Sequence, residues 1–324
     1  MEVSQALEFE KPLLEIEREL LRLRSLVEAG DLAYAADVEK LEKKLDRART
    51  DVYGGLSAYD RVQLSRHPDR PFTLDYVKRI FTQFVELKGD RVFGDDPAVV
   101  GGIAKFNGMP VVVVGHQRGR TTQERVYRNF GMSRPEGNRK AQRLFKLAEK
   151  FSLPLLLFID TQGAFPGLEA EARGQAESIA RNLLLLCGLK TPIISTVIGE
   201  GGSGGALALG ICDRLLMLEN STYSVITPEG CASILWGKED AENVAGYARL
   251  AAESLKLTAK GLSETGILDE VVKEPVGGAH RDHDQAAELV GVALARQLSE
   301  IRASDISELM ERRYQKFRKI GALS

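Results

Sequence analysis

The stretch of the chain that most directly suggests chemistry is Gly-Glu-Gly-Gly-Ser-Gly-Gly at residues 199–205. It follows an apolar run at residues 192–198 and precedes Ala-Leu-Ala-Leu, so it lies where a strand is expected to give way to a helix. Such a junction suits three kinds of site: a dinucleotide site, the nucleophile elbow of a hydrolase, or an oxyanion site built from main-chain N–H groups. The rest of the sequence has to distinguish them.

The dinucleotide interpretation rests on Gly199, Gly201 and Gly204, which match the G-x-G-x-x-G pattern, and on the acidic Glu219 further along. The helix expected after these glycines, over residues 204–212, is too short for the crossover that such a unit needs. The pattern is also weak evidence in a chain with 31 glycines. We therefore do not favour a dinucleotide site.

The hydrolase interpretation makes Ser203 a nucleophile, because Gly201, Ser203 and Gly205 match the G-x-S-x-G pattern. Three residues downstream have the types and the order of the other triad members: Asp269, His280 and His283. That order is weak evidence among 46 acidic residues, and an elbow does not need four glycines around its serine. A serine hydrolase remains the alternative enzyme class.

The oxyanion interpretation is favoured by a second loop of the same kind, Asp-Thr-Gln-Gly-Ala-Phe at residues 160–165, which also follows an apolar strand. Two such loops in consecutive strand–helix units are expected to lie close together, with unpaired N–H groups exposed. Glycine lets another group approach the backbone closely, and a helix N-terminus favours an anion. We therefore expect the N–H groups of Gly204 and Gly205 to stabilise a developing negative charge, so that no nucleophilic side chain is needed.

Apolar runs alternate with helix-like segments along the middle of the chain, which predicts a mostly parallel sheet covered by helices. Asn107-Gly108 between two β-branched runs predicts a hairpin with a type I′ turn. The other predicted elements are a helix over 74–87 capped by Thr73, a helix over 134–150, strands over 155–160, 192–198 and 215–218, a helix over 169–187, and surface helix over the last forty residues.

The first part of the chain has its own periodicity. Apolar residues spaced by three and four over 13–27 and again over 38–52 predict two antiparallel helices, the second capped by Asp37. We divide the chain into a helical hairpin, residues 1–55, and a larger α/β domain with a helical tail, residues 56–324. The hairpin suits a stabilising appendage and a docking arm equally well.

Composition excludes several classes of protein. The net charge of −2 gives no basic field for nucleic acid, and no apolar run is long enough to span a bilayer. Cys187, Cys212 and Cys231 lie far apart, so we expect three buried thiols rather than a disulfide framework, and no metal site. With no secretory signal at the N-terminus, these features favour a cytoplasmic protein.

Taken together, the motifs resemble the alpha subunits of bacterial acetyl-CoA carboxylase carboxyltransferases. The resemblance covers residues 67–281 and rests on several separate stretches in order: residues 89–91, 100–104, 115–120, 128–132, 160–167, 199–208, 223–232 and 277–281. Gln162 and Phe165 stand where the family has proline and tyrosine, and Phe165 lacks the tyrosine hydroxyl.

The resemblance implies a crotonase-like fold of repeated ββα units and a biotin-dependent carboxyltransferase. The implied reaction moves a carboxyl group from carboxybiotin, delivered by the biotin carboxyl carrier protein, to acetyl-CoA, which gives malonyl-CoA for fatty-acid synthesis. The implied partners are a beta subunit in an α2β2 assembly, with zinc only in that subunit, and biotin carboxylase. A non-catalytic scaffold for the beta subunit is the other alternative.

Applied to this sequence, the resemblance makes Gly204 and Gly205 the amides that hold the biotin ureido oxygen. We expect Gly201 and Gly202 to let biotin approach, and Gly205→Val to abolish transfer while the fold stays intact. The remaining residues of the implied biotin site are Ser203, Gly163, Ala164 and Phe165.

A basic segment adds four further candidates: Arg118, Arg120, Arg125 and Arg128. These arginines suit either electrostatic steering of the carrier or of coenzyme A phosphates, or a solvated face with salt bridges. His116, in the same segment, is expected to be structural.

Overall fold

A computed structural model describes residues 6–237 and 243–321. The strands are β1 Thr82–Glu86, β2 Val99–Phe106, β3 Met109–His116, β4 Leu155–Thr161, β5 Ile193–Gly202, β6 Arg214–Leu218, β7 Thr222–Ser224 and β8 Glu270–Val272. The helices are α1 Lys11–Glu28, α2 Ala35–Gly54, α3 Ala58–Ser65, α4 Thr73–Ile80, α5 Thr122–Tyr127, α6 Pro135–Lys150, α7 Leu168–Ala172, α8 Gln175–Gly188, α9 Ser203–Leu207, α10 Pro228–Leu235, α11 Val244–Ser254, α12 Ala259–Glu264, α13 His283–Arg302 and α14 Ile306–Lys319.

The strands form one sheet in the order β1-β2-β3-β4-β5-β6-β8, with β7 paired to β5. β1, β2 and β3 are antiparallel neighbours, whereas β3, β4, β5, β6 and β8 run parallel. The predicted hairpin is confirmed: Phe106 pairs with Met109, and the turn residues Asn107 and Gly108 have φ of 48° and 80°. The mostly parallel sheet predicted from the sequence is therefore present.

Both faces of the sheet are buried, which explains why its central strands are almost continuously apolar. Side chains of β4 alternate between two hydrophobic clusters: Leu155 and Leu157 join one, and Leu156 and Phe158 join the other. α6 and α8 cover the first face, and α4 and α13 cover the second. The parallel strands are held rigidly between these helix layers.

Three predicted helices differ from the structure. The helix predicted over 74–87 ends at Ile80, and residues after it form the edge strand β1; Asp75, rather than Thr73, caps its start by accepting from the Phe72 N–H. The helix predicted over 169–187 is two helices, because Gly174 between them has φ of 82°. In α2, Asp37 lies in the first turn rather than at the cap.

The C-terminal segment and two of the three cysteines also differ from expectation. α13 is not a surface helix, since eight of its residues are buried. Cys212 is buried as expected, but Cys187 is exposed and Cys231 is half-buried. Cys187 has apolar neighbours in the sequence, which suggested burial. However, α8 has one face toward the sheet and one toward solvent, and Cys187 is on the side toward solvent.

The two N-terminal helices are present and pack against each other through Leu13, Leu20 and Leu45. They run antiparallel, because Arg49 pairs with Glu17 at one end of the contact and Arg24 pairs with Glu42 at the other. In the described part of the chain, no helix has both the length and the apolarity to cross a membrane.

The C-terminal helix α14 is attached to the sheet by one buried ion pair. The Arg313 guanidinium donates to both carboxylate oxygens of Asp213 at 2.9 Å, and it also reaches the carbonyls of Leu186, Leu189 and Thr191. Asp213 in turn accepts from the Ile193 N–H at the start of β5. Arg313 therefore ties α14 to the ends of α8 and β5.

We expect Arg313→Met to lower the free energy of unfolding by about 3–5 kcal/mol, because it leaves a buried carboxylate and three carbonyls without their donor. Arg312→Met is the matched control: Arg312 is exposed, and its contacts with Glu308 and with the Ser304 hydroxyl are exposed as well, so we expect a change under about 0.5 kcal/mol. Urea denaturation of both variants measures the difference. Equal losses in the two variants would contradict this account of α14.

Candidate active site

The two glycine loops lie against each other at the carboxyl ends of adjacent parallel strands. We call residues 161–165 the first glycine loop and residues 201–205 the second glycine loop. Thr161 pairs with Gly201, and a Cβ added to Gly202 would lie 2.2 Å from the Gln162 carbonyl oxygen. The close approach of the two loops, which the sequence predicted, is thus a feature of the fold.

The glycines of the second loop differ in what surrounds them. A Cβ on Gly205 would lie 2.7 Å from the Ala164 nitrogen, so this position requires glycine for contact with the first loop. Gly204 is half-buried, and a Cβ there would meet only Ile179 at 3.6 Å. Gly205→Val is therefore not a fold-neutral change, contrary to our expectation, because its side chain would collide with main-chain atoms of the first loop.

The two glycines expected to let biotin approach, Gly201 and Gly202, are closely surrounded by protein atoms. Both are buried in β5, and a Cβ on Gly201 would lie 2.7 Å from the Tyr223 ring. Their lack of a side chain is needed for packing against Tyr223 and Gln162. Packing within the protein is thus enough to explain why both positions are glycine.

Main-chain N–H groups are concentrated where the loops meet. α9 begins at Ser203 with no side chain capping it, so its first N–H groups have no partner within the helix. In the first loop, the Gly163 N–H donates to the Thr161 hydroxyl and the Phe165 N–H donates to the Ser133 carbonyl. The amide of Ala164 lies between these two occupied groups and beside Gly205.

Ser203 has some features of an elbow but not the partners of a nucleophile. It is exposed, and its φ of 51° is unusual for a residue with a side chain. His280, however, contacts Glu10 at 3.1 Å, and His283 contacts the Asp69 carbonyl. Asp269 binds the Leu215 N–H and Lys316. The residues proposed for a triad are therefore engaged elsewhere.

His116 lies beneath the loops. Its Nδ1 accepts from the Asp160 N–H at 3.4 Å, and its ring also interacts with the backbone of Gly205 and Phe158. Burial, together with the charge of the neighbouring Arg118, lowers the pKa of His116 from its ordinary value of 6.5 to about 3. The imidazole is consequently neutral at physiological pH, as suits the structural role expected for it.

The four candidate arginines are not equivalent. Arg118 is largely buried between two carboxylates, those of Asp160 and Glu200. Arg120 pairs with Asp75 at 2.8 Å and keeps more than a third of its side chain exposed. The other two donate to main-chain carbonyls: Arg125 to that of Gly119, and Arg128 to that of Pro97.

Phe165 packs against an arginine side chain. Its ring lies under the Arg134 guanidinium, 4.7 Å from the ring centroid, and is half-buried. This contact needs only the face of the ring, so it does not depend on the hydroxyl that a tyrosine would add.

Two cavities flank the paired loops. An apolar cavity of about 340 Å³ lies beside the second loop and is lined by Ser203, Gly204, Leu207, Tyr223, Val225 and Leu262, among others. A basic cavity of about 270 Å³ lies beside the first loop and is lined by Arg66, Phe72, Arg118, Arg125, Phe130 and Gln162, among others. The second loop thus borders an apolar cavity and the first loop borders a basic one.

One group of side chains lies close enough together to hold a metal ion among the described residues. It consists of Glu10, His67 and His280, all of them buried. Glu10 Oε1, however, already accepts from Tyr53, His280 and Arg281, and the cationic Arg281 is only 2.9 Å away. These contacts make the group an ionic connection between the N-terminal helices and residues 277–281, which the sequence did not indicate.

The sequence also missed the roles of Asp160 and Glu200. Each lies near the end of an apolar strand, directly before a glycine loop, and each is buried. An acidic residue at this position of two consecutive strands is a signal that could have shown them as a pair.

Comparison with known protein families gives a match over residues 6–321 to the family described as acetyl co-enzyme A carboxylase carboxyltransferase-like. Among individual proteins, the chain is 55% identical over 315 residues to the acetyl-coenzyme A carboxylase carboxyl transferase subunit alpha of Alcanivorax borkumensis, covering 97% of this chain and 96% of that protein. It is 56% identical over 318 residues to the same subunit of Geobacter metallireducens, covering 97% of both.

Among solved structures, transcarboxylase 12S matches with a TM-score of 0.57 at 20% identity, over 71% of this chain and 42% of that one. The beta subunit of geranyl-CoA carboxylase from P. aeruginosa matches with a TM-score of 0.54 at 19% identity, over 83% of this chain and 47% of that one. The chain spans less than half the length of these solved neighbours. They show that the fold is crotonase-like, as predicted.

The low pKa of His116 predicts a specific dependence of stability on pH. An unfolded chain takes up a proton on this histidine as the pH falls through 6.5, whereas the folded chain does so only near 3. The contribution of His116 to stability is therefore complete above pH 6.5 and is lost progressively below it. Between pH 7 and pH 5 we expect the wild type to lose about 2 kcal/mol through this group.

The measurement is urea denaturation of the wild type and of His116→Gln at pH 7 and at pH 5. Glutamine cannot be protonated, so the variant should lose less stability over this interval than the wild type. The same pH dependence in both proteins would show that His116 titrates normally in the folded state.

Proposed function

The chain belongs to the family of acetyl-CoA carboxylase carboxyltransferase alpha subunits, and from this premise we propose that it transfers the carboxyl group of carboxybiotin to acetyl-CoA, giving malonyl-CoA for fatty-acid synthesis. The proposal is supported by identity above 50% to named subunits over nearly the whole chain. The observation on which the mechanism depends is the meeting of the two glycine loops at the Gly205–Ala164 contact.

In the proposed reaction the N–C bond of carboxybiotin breaks, biotin takes the proton released from the acetyl methyl group, and the acetyl carbon forms a new bond to the carboxyl carbon. Negative charge builds on the biotin ureido oxygen as the bond breaks and on the thioester oxygen as the proton leaves. A site for this reaction has to stabilise charge on carbonyl oxygens.

The main-chain amides of this chain suit that requirement. We assign the N–H groups of Gly204 and Gly205 to the ureido oxygen, with Gly163 and Ala164 on the facing wall. The rigid strands β4 and β5 fix both loops, so the dipoles are oriented before the substrate binds. No side-chain base is needed, because biotin itself accepts the proton.

The surroundings of the loops support binding of a bicyclic apolar group on one side. The apolar cavity beside Ser203 and Gly204 has a volume of about 340 Å³, within the range of small-molecule sites. We propose that it takes the biotin ring system, with Phe165 and the buried Gly201 and Gly202 supporting the loops rather than lining the cavity.

Charge around the site supports a second part of the proposal. Arg120, Arg125 and Arg128 keep partial exposure near the first loop, and we propose that they attract the acidic carrier or the phosphates of coenzyme A. Arg118 is paired with two buried carboxylates and is the least available of the four for this purpose.

We further propose that the chain acts with a beta subunit in an α2β2 assembly, that the beta subunit holds the zinc, and that the biotin carboxyl carrier protein and biotin carboxylase complete the system. Residues 1–55 would form a separate docking hairpin on the domain at 56–324. Three free cysteines support a reducing, cytoplasmic location. Malonyl-CoA formation by the reconstituted subunits, and by neither alone, distinguishes a shared catalytic site from a scaffold.

We expect Gly205→Ala to lower kcat for malonyl-CoA formation by about 100-fold in the reconstituted enzyme, because its Cβ would displace the amides that stabilise the oxyanion. Gly188→Ala is the matched control, since Gly188 ends α8 outside both loops and an added Cβ there meets no atom within 4 Å; we expect kcat within about threefold of wild type.

Co-elution with the beta subunit and the unfolding temperature, measured for both variants, establish that the proteins compared are folded and assembled. Normal turnover by assembled Gly205→Ala, or an equal loss in both variants, would contradict the assignment of the oxyanion site to this contact.

A further inference from the structure

We propose that Arg118 is a positioning residue for this reaction: it bridges Asp160 and Glu200, which stand at the bases of the two glycine loops, and so sets the distance between the loops. The inference rests on the proposed function and extends it. It gives Arg118 a different role from the steering of substrate that its sequence context suggested.

The first step of the argument is geometric. Arg118 Nε lies 3.2 Å from Asp160 Oδ1, and its Nη2 donates to Glu200 Oε2 at 3.0 Å. Asp160 is in β4 directly before the first glycine loop, and Glu200 is in β5 directly before the second. A single guanidinium therefore spans the two strands at the point where both loops begin.

The second step concerns charge. Asp160 Oδ1 accepts from the Glu200 N–H at 3.1 Å, so the two acidic residues are held very close together. Both are buried, and two buried carboxylates without a cation between them would repel each other. Arg118 forms ion pairs with both, whereas Arg66 pairs only with Glu200 of the two. Among the described side chains that form ion pairs with these two acids, Arg118 is consequently the one that pairs with both.

The third step connects this pair to the amides. A Cβ on Gly199 would lie 2.5 Å from Asp160 Oδ1, so β5 fits tightly against this carboxylate. The Asp160 N–H donates to His116, whose ring interacts with the Gly205 backbone. Movement of Asp160 would thus reach both the first loop, which follows it directly, and Gly205.

The side chain of Arg118 also has little room to move. A Cβ added to Gly131 would lie 2.8 Å from Arg118 Cγ, which shows how closely the backbone encloses the aliphatic part of this side chain. Only 14% of the side chain is exposed, compared with 39% for Arg120. Arg118 is therefore suited to hold protein groups rather than to attract a substrate in solution.

The test uses the enzyme reconstituted with its beta subunit and compares Arg118→Met, Arg118→Lys and Arg79→Met. Arg79 pairs with Asp284 on another part of the surface, so Arg79→Met removes an arginine–carboxylate pair without touching the loops. We expect Arg118→Met to lower kcat by at least about tenfold, with KM for acetyl-CoA within about threefold, because misplaced amides affect the transition state most. Lysine should restore part of kcat, and Arg79→Met should leave both constants unchanged.

Two further measurements separate positioning from steering and from loss of folding. The dependence of the rate on ionic strength should be the same in Arg118→Met as in the wild type. If Arg118 steered the substrate, removing its charge would make this dependence weaker. Amide hydrogen exchange over residues 162–165 and 203–205 should be faster in Arg118→Met, while exchange over residues 155–160 of β4 and 193–199 of β5 stays slow.

The outcomes distinguish the inference from the function on which it rests. If the wild-type enzyme forms no malonyl-CoA, the proposed function is contradicted. The exchange measurement does not need activity, so it still tests whether Arg118 holds the loops in place. Active wild type together with a fully active Arg118→Met variant overturns the inference alone. So does a variant that changes only KM and loses its salt dependence, which would make Arg118 a steering residue.

Discussion

The site depends on one steric constraint, the contact between two main-chain segments that no side chain separates. Gly202 lies against the Gln162 carbonyl and Gly205 against the Ala164 nitrogen, so closely that a Cβ at either position would collide with these main-chain atoms. Adjacent parallel strands bring their ends to the same edge of the sheet, but only glycine allows the loops beyond them to touch. The amides that we assign to catalysis take their positions from this contact.

Buried charge then fixes what the glycines allow. Arg118, Asp160 and Glu200 lie directly beneath the loops, and the neutral imidazole of His116 fills the space next to Gly205. Ionic groups of this kind add little net stability, because desolvation offsets much of their attraction. They do favour one arrangement over its alternatives, which is what a site made of oriented dipoles requires. The other buried pairs serve the scaffold in the same way: Arg313 with Asp213, Arg70 with Glu274, and Arg281 with Glu10.

The sequence predicted those features that depend on local pattern. The apolar runs predicted the parallel strands, and Asn107-Gly108 predicted the hairpin. The repeated strand–glycine–helix pattern predicted the two adjacent loops. It could not predict features that depend on long-range packing: the end of α4 at Ile80, the burial of α13, and the pairing of Arg118 with two acids from other strands. Four arginines close together in sequence suggested one basic surface, yet only their partners in the fold show that they differ. The roles of Gly204, Gly205 and the residues around them stay predictions.

The central claim, that main-chain amides rather than a reactive side chain stabilise the charge on biotin, can be tested most directly by a crystal structure of the assembled alpha and beta subunits with biotin bound. The account predicts that the ureido oxygen lies about 2.7–3.1 Å from the N–H nitrogens of Gly204 and Gly205. A ureido oxygen bound to a side chain instead, or lying well beyond hydrogen-bond distance of both amides, would contradict it.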